Sequence, residues 1–157
     1  MQISEHHEYA ADPQTVYAML TNEDFQRAVV ATLDATSSRV SCRGGHSSVQ
    51  VELAAPVIVR KFVGDTLNID QSLDWAQPGT DGSTTASIEV MVVGMPAQVS
   101  GTVSLAAGGK GTTVDYEGDF VIGVPLVGKK LESVALPYVR DVINSQQAVG
   151  NQWLAQH

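Results

Sequence analysis

The hydrophobic period of this chain changes once, near Gly123, and that change constrains the fold more than any other feature. Before it, apolar side chains mostly recur at every second residue; after it they recur at steps of three, four and seven, the spacing of one helix face.

Upstream, Val49, Val51 and Leu53 alternate with Ser48, Gln50 and Glu52. Leu67, Ile69, Leu73 and Trp75 share a phase that also holds Gln71, opposed by Thr66, Asn68, Asp70, Ser72 and Asp74. Ile88, Val90 and Val92 form a third row, Val99, Val103 and Leu105 a fourth, and Val114, Tyr116 and Phe120 a fifth. Strands with one dry and one wet face belong to an antiparallel sheet. Gly108-Gly109 and the segment Gln77–Ser83 read as hairpin loops.

Downstream, Val127, Leu131, Val134, Tyr138, Val142, Val149 and Trp153 trace one face, widened by Ala135, Val139 and Ile143. The spacing predicts a helix over 125–155, roughly 45 Å long at about 1.5 Å per residue. Pro137 predicts a kink or a break inside it, and Gly128 and Gly150 weaken its ends.

The N-terminal segment reads as a strand over 2–10, with Ile3, Glu5, His7 and Tyr9 on one face. Asp12-Pro13 is a helix start, because Asp caps free N–H groups and Pro suits the first helical position. Thr21-Asn22, followed by Glu23 and Asp24, is a second start. Two short helices are expected between about 13 and 33.

A long apolar helix needs cover, and the dry face of the sheet is the only large surface available. The expected fold is therefore α+β: a curved antiparallel sheet of six or seven strands wrapped around a long C-terminal helix, with two short helices after the first strand. Residues 1–157 are expected to form one domain. Gly101, Gly118 and Gly94-Met-Pro96 offer points where strands bend. A concave sheet closing over a helix leaves its middle open, which predicts a cavity. Aromatic residues make up only 6% of the chain, so small branched side chains must fill most of the interior.

Nine basic residues face 17 acidic ones, for a net charge of −8. Such a chain repels phosphate backbones, and it has no basic stripe with interleaved aromatics, so no nucleic-acid partner is expected. No apolar run approaches the ~20 residues of a membrane span. Met1–Tyr9 lacks the apolar core of a signal peptide, which points to the cytoplasm. The single cysteine, Cys42, excludes an internal disulfide and reads as a small, partly buried thiol.

The element order, with Ala11-Asp-Pro-Gln-Thr-Val-Tyr17 at the first strand-to-helix junction, resembles the START-like superfamily, also called SRPBCC or helix-grip. The resemblance spans essentially the whole chain. Within the superfamily, Leu67-Asn-Ile-Asp-Gln-Ser-Leu-Asp-Trp75 and Ile122-Gly-Val-Pro-Leu-Val-Gly-Lys-Lys-Leu-Glu132 look similar to a bacterial family of unknown function. The resemblance implies an internal cavity for lipids, polyketides or other apolar molecules. The superfamily also includes cyclases and other enzymes, but no catalytic position of theirs carries over onto this chain.

The chemistry-bearing residues are few. His6 and His7 are adjacent on a strand and point to opposite faces, so they cannot share an ion, and His46 would have to join from elsewhere. They read as solvated strand residues, with no metal site. Cys42 and His46 lack the third group that would orient a nucleophile and its base. Gly108-Gly-Lys-Gly-Thr112 breaks the order of a phosphate loop. Lys129, Lys130 and Glu132 read as solvated charges. Pro56-Val-Ile-Val-Arg-Lys-Phe62 reads either as a gate over the cavity or as a short packed helix.

Glu5, His7, Tyr9 and Gln71 are polar residues in phase with apolar neighbours, and a buried polar group must find a partner. Tyr116 and Tyr138 read first as core aromatics with satisfied hydroxyls, and Trp75 and Trp153 as packing anchors. The cavity lining expected from phase is His7, Tyr9, Leu67, Ile69, Gln71, Leu73 and Trp75 from the early strands. Ile88, Val90, Val99, Val103 and Tyr116 follow from the later strands, with Leu131, Val134 and Tyr138 from the helix. The function expected is a carrier or sensor of an apolar small molecule, without cofactor or catalytic residue. A polyketide cyclase-like enzyme with an inward His or Glu as base is one alternative. A ligand-free interaction module, dimerising through 56–63 or 121–127, is the other.

Overall fold

In the computed structural model, which describes residues 1–157, seven strands form one antiparallel sheet. They are β1 (Gln2–Tyr9), β2 (Ser37–Arg43), β3 (His46–Ala54), β4 (Thr66–Trp75), β5 (Thr84–Val92), β6 (Ala97–Gly108) and β7 (Gly111–Ile122). The spatial order is β1-β7-β6-β5-β4-β3-β2, so the first strand returns to pair with the last. Helices α1 (Pro13–Leu20) and α2 (Glu23–Ala31) follow β1. A 3-10 turn at Val57–Val59 leads into the one-turn α3 (Arg60–Val63), and α4 (Gly128–Gln156) closes the chain. This is the helix-grip arrangement, with the sheet curved around α4.

The short helices start where capping chemistry directs. The Asp12 carboxylate accepts the Thr15 N–H at 2.7 Å, and Asn22 Oδ1 accepts from Asp24 N and Phe25 N at 2.8 and 3.1 Å. Each cap starts a helix whose apolar face (Val16, Met19 and Leu20; then Phe25 and Val29) packs with Tyr9, Trp75 and Tyr116 in the main core.

The register places a row of inward residues across the sheet: Ile3, Gly118, Gly101, Ile88, Leu73 and Ser47. The two glycines face each other in that row. A Cβ on Gly101 would lie 2.3 Å from the Glu117 carbonyl oxygen, and one on Gly118 would lie 2.6 Å from that of Ser100. Only glycine permits strands to close in this way, at the line where the sheet turns around the helix.

Helix α4 lays Leu131, Ala135, Val139 and Ile143 against the sheet, and Val149, Trp153 and Leu154 carry the contact on to α1 and α2. Its buried face is thus rotated from the expected stripe. Tyr138 and Val142 are 49% and 43% exposed, because the four-residue row through Leu131 meets Ile3, Phe120 and Ile122 and turns its neighbours outward. The helix runs unbroken through Pro137. Pro137 and Ser133, whose carbonyl the ring displaces, are both exposed, so water reaches the freed acceptor. Gly150 is no frayed end: a Cβ there would lie 2.5 Å from the Tyr9 ring, so its role is close packing.

Glu132 departs from the expected solvated charge. Its side chain is buried, and Oε2 accepts the Ile122 N–H at 3.1 Å, holding the turn from β7 into α4. That backbone donor is the main reason its carboxyl is held below the usual carboxylate range. No helix is long and apolar enough to cross a membrane.

Candidate functional site: an interior cavity under the last helix

A cavity of about 100 Å³ lies between the concave face of the sheet and α4. Its floor is the cross-strand row of Ile3, Gly118, Gly101, Ile88, Leu73 and Ser47. The two glycines put no side chain into the space between Ile3 and Ile88, which explains the opening. Val49, Gln71 and Val99 bound it on one side, and Trp75 and Tyr116 on the other. Gln26, Val29 and Val30 of α2, with Leu33 beyond it, form one wall. Val142, Ile143 and Gln146 of α4 form the roof, with Val142 half exposed at the rim. A dry cavity of about 150 Å³ is known to hold benzene, and this space, smaller but open at the Val142 rim, is of the same order.

The lining is apolar with a few neutral polar groups. The side chains of Gln71, Gln146 and Ser47, and the Tyr116 hydroxyl, make no hydrogen bond within the chain, yet none is a sealed orphan. Gln26 donates Nε2 to the Leu20 carbonyl at 2.8 Å, which leaves its oxygen open. Burial pushes the Tyr116 hydroxyl pKa up, so it stays protonated. Glu117 touches the cavity through its backbone: its carboxylate accepts the Ser4 hydroxyl at 2.7 Å on the convex face.

Among the residues expected to line a cavity, the structure gathers Gln71, Leu73, Trp75, Ile88, Val99 and Tyr116 around this one. His7, Tyr9 and Val103 are fully buried in the adjoining core instead. Ile69 packs beside the cluster of Val30, Val40, Val49 and Val51, and Leu67 is half-buried further along β4; Val90 is half-buried on β5, outside the lining. Leu131 belongs to the cluster with Ile3 and Phe120, Val134 is half-buried on α4, and Tyr138 faces out. Phase names the inward face of a strand but not the position along it that α4 leaves open. Ser47, Val49, Gln26, Val29, Val30 and Gln146 line the cavity without having been singled out. A signal existed for Ser47, a small polar residue in phase with Val49 and Val51.

The titratable groups on the inner face of β1 are tied to α4. His7 donates its Nε2–H to Asn144 Oδ1 at 3.1 Å, which leaves Nδ1 buried without a partner. Burial holds the ring below its ordinary pKa and therefore neutral. The Glu5 carboxylate accepts from Arg140 Nε at 2.7 Å, and the Glu8 N–H donates to Gln147 Oε1 at 2.8 Å. Neither His7 nor Glu5 reaches the cavity. On the convex face His6 pairs with Asp115, and at the β2–β3 hairpin His46 pairs with Asp74 rather than with Cys42. Burial raises the Cys42 pKa, which keeps the thiol protonated. No group of three or more His, Cys, Asp or Glu side chains is placed to hold a metal ion.

Pro56–Phe62 folds into the 3-10 turn and α3, which touch α4 and β4. Val59 is buried, whereas Val57, Ile58 and Phe62 are exposed, as are Val121 and Leu126.

A family model described as a protein of unknown function, DUF2505, matches residues 4–154. No curated protein matches the chain. Among solved structures, TTHA0849 from Thermus thermophilus superposes with a TM-score of 0.66 at 15% identity, covering 97% of this chain and 95% of that one. Ms6760 from Mycobacterium smegmatis gives 0.63 at 13% identity, over 99% of this chain and 92% of that one. Ara h 8.0201 gives 0.56 at 13%, over 96% and 97%. At such identities the likeness shows the fold alone.

Proposed function

The chain belongs to the DUF2505 family of proteins of unknown function, and from that premise we propose that it binds a small apolar molecule between its sheet and α4. The observation that carries this reading is the cavity itself: a mostly apolar interior space in which the side chains of Gln71, Gln146 and Ser47 and the Tyr116 hydroxyl have no partner in the chain. Burying a polar group without a partner is unfavourable, so such a lining is better explained by a guest or by water than by packing. Affinity would come mainly from apolar area removed from water, at roughly 25 cal/mol per Å² before association costs.

In this reading DUF2505 is a branch of the START-like superfamily working in the cytoplasm, and the protein is a carrier or sensor rather than a catalyst. The cyclase-like alternative lacks a base, since His7 and Glu5 are both engaged with α4 and stand outside the cavity. A lipid or polyketide is larger than this space and would enter only if α2 and the α4 rim at Val142 moved apart.

The test is a titration with toluene, followed by two-dimensional NMR of the amides and methyl groups. Saturable shifts centred on Ile88, Val99 and Ile143 support the proposal. A protein whose spectrum is unmoved by toluene, and which releases no small molecule when purified from cells and denatured, does not work this way.

A second reading has its own observation. Val57, Ile58, Phe62 and Leu126 are 77%, 54%, 44% and 105% exposed, which is apolar area a homodimer would cover. A concentration-dependent mass in light scattering, abolished by Ile58→Asp, would favour it.

A further inference from the structure

We infer that the guest is an uncharged molecule of roughly benzene size carrying a hydroxyl, carbonyl or amide group. This deepens the reading of the cavity as a binding site and rests on it.

The cavity offers no charge to a guest. No Lys, Arg or His lines the space, and its one acidic neighbour, Glu117, turns its carboxylate to the convex face. The inward ionisable groups nearby are already engaged: Glu5 with Arg140, His7 with Asn144, and Glu132 with the Ile122 N–H. An anion entering the cavity would lose its water and meet no cation, and a cation would meet no carboxylate. The net charge of −8 further opposes anions at the rim.

Most of the neutral polar groups gather towards β3 and β4. Ser47 pairs with Leu73, and Gln71 pairs with Val49, so Ser47 and Gln71 are diagonal neighbours on the inward face of β3 and β4. Gln146 joins the lining from α4, and Gln26 brings an open amide oxygen from α2. Ile3, Ile88 and Val99 are aliphatic, and from the opposite side Tyr116 brings a hydroxyl and Trp75 an indole N–H that is buried without a partner. The space therefore offers amide, hydroxyl and indole N–H groups around an aliphatic middle. A molecule with a ring or short branched body and one polar head matches both kinds of surface. Donors and acceptors are both present, so a head of either type is served, provided it is neutral.

The test compares four probes built on one benzene ring at pH 7: benzyl alcohol, toluene, benzoate and benzylamine. Binding is read from the methyl signals of Ile88 and the side-chain amide signals of Gln71 and Gln146. Benzyl alcohol is expected to bind about tenfold more tightly than toluene, as one or two neutral hydrogen bonds provide. Benzoate and benzylamine are expected to bind about a hundredfold more weakly than benzyl alcohol. In the double variant Gln71→Leu, Gln146→Leu, the preference for benzyl alcohol over toluene should fall towards one, while toluene still binds and so reports an intact cavity. Benzoate or benzylamine binding as well as benzyl alcohol overturns the inference and leaves the cavity reading standing, and so does a preference unchanged in the double variant. Failure of all four probes, toluene included, removes the cavity reading and this inference together.

Discussion

His7 donates its Nε2–H to Asn144 Oδ1 at 3.1 Å, joining the first strand to the last helix through a ring that solvent does not reach. The ring is held below its ordinary value of 6.5, first by burial, against the smaller raising effect of Asn144. A group whose folded pKa is depressed stabilises the fold above its unfolded pKa and loses that contribution as pH falls. Resistance of the native protein to urea should therefore weaken as pH drops below about 6.5. His7→Gln should lose about 1–3 kcal/mol at pH 7 and show a shallower acid slope. His6, raised by Asp115, acts in the opposite direction in both proteins, so the difference between their curves isolates His7. Parallel curves would mean that His7 is not the group responsible.

Gly101 and Gly118 are predicted to tolerate no side chain. In an ordinary strand, Gly→Ala is stabilising, because glycine weakens strand interiors. Here the new Cβ meets the backbone of the neighbouring strand at 2.3 or 2.6 Å, which no rotamer change relieves. Gly101→Ala and Gly118→Ala should each lose about 2–4 kcal/mol in urea denaturation. A neutral result at either site would mean that the sheet is not pinched along this row.

The sequence made the sheet and its dry face readable because period-two alternation survives any curvature. It left open both the rotation of α4 and the depth at which the strands stand clear of it. Val142 and Ile143 are adjacent, and each fits an apolar stripe, so the choice between the Leu131 row and the Val134 row waits on the partner surface. Leu67 and Leu73 share a phase, but only Leu73 lies beneath the open stretch of helix. Glu132 looked solvated because a charge at a helix start usually is; its target, the Ile122 N–H, exists only once β7 has ended there.

Gly150 offers a test in which two effects oppose each other. In an exposed helix, Gly→Ala would gain about 1 kcal/mol from propensity. At this position the added methyl would lie 2.5 Å from the Tyr9 ring and 3.2 Å from the Met19 terminal methyl. Tyr9 is fully buried and its hydroxyl already lacks a partner. The overpacking, about 1–3 kcal/mol, should outweigh the propensity gain. Gly150→Ala is expected to lower the midpoint of thermal unfolding; a raised midpoint would mean that α4 stands further from β1 than described.

Ser47 separates packing from binding, because the two make opposite demands on it. It is 4% exposed on an inward position of β3, in phase with Val49 and Val51, and its hydroxyl has no partner in the chain. If packing alone set the residue, valine would serve better: it restores the strand's apolar phase and removes an unpaired polar group. Ser47→Val should therefore stabilise the protein by about 1 kcal/mol, within the range found for filling small cavities. The same change takes a hydroxyl and some volume from the cavity, so benzyl alcohol should bind several-fold more weakly than to the native protein. Both readouts come from one variant, calorimetry for the first and NMR titration for the second. A destabilised Ser47→Val would show that the hydroxyl is held by the protein itself and that the β3 wall of the cavity is already satisfied.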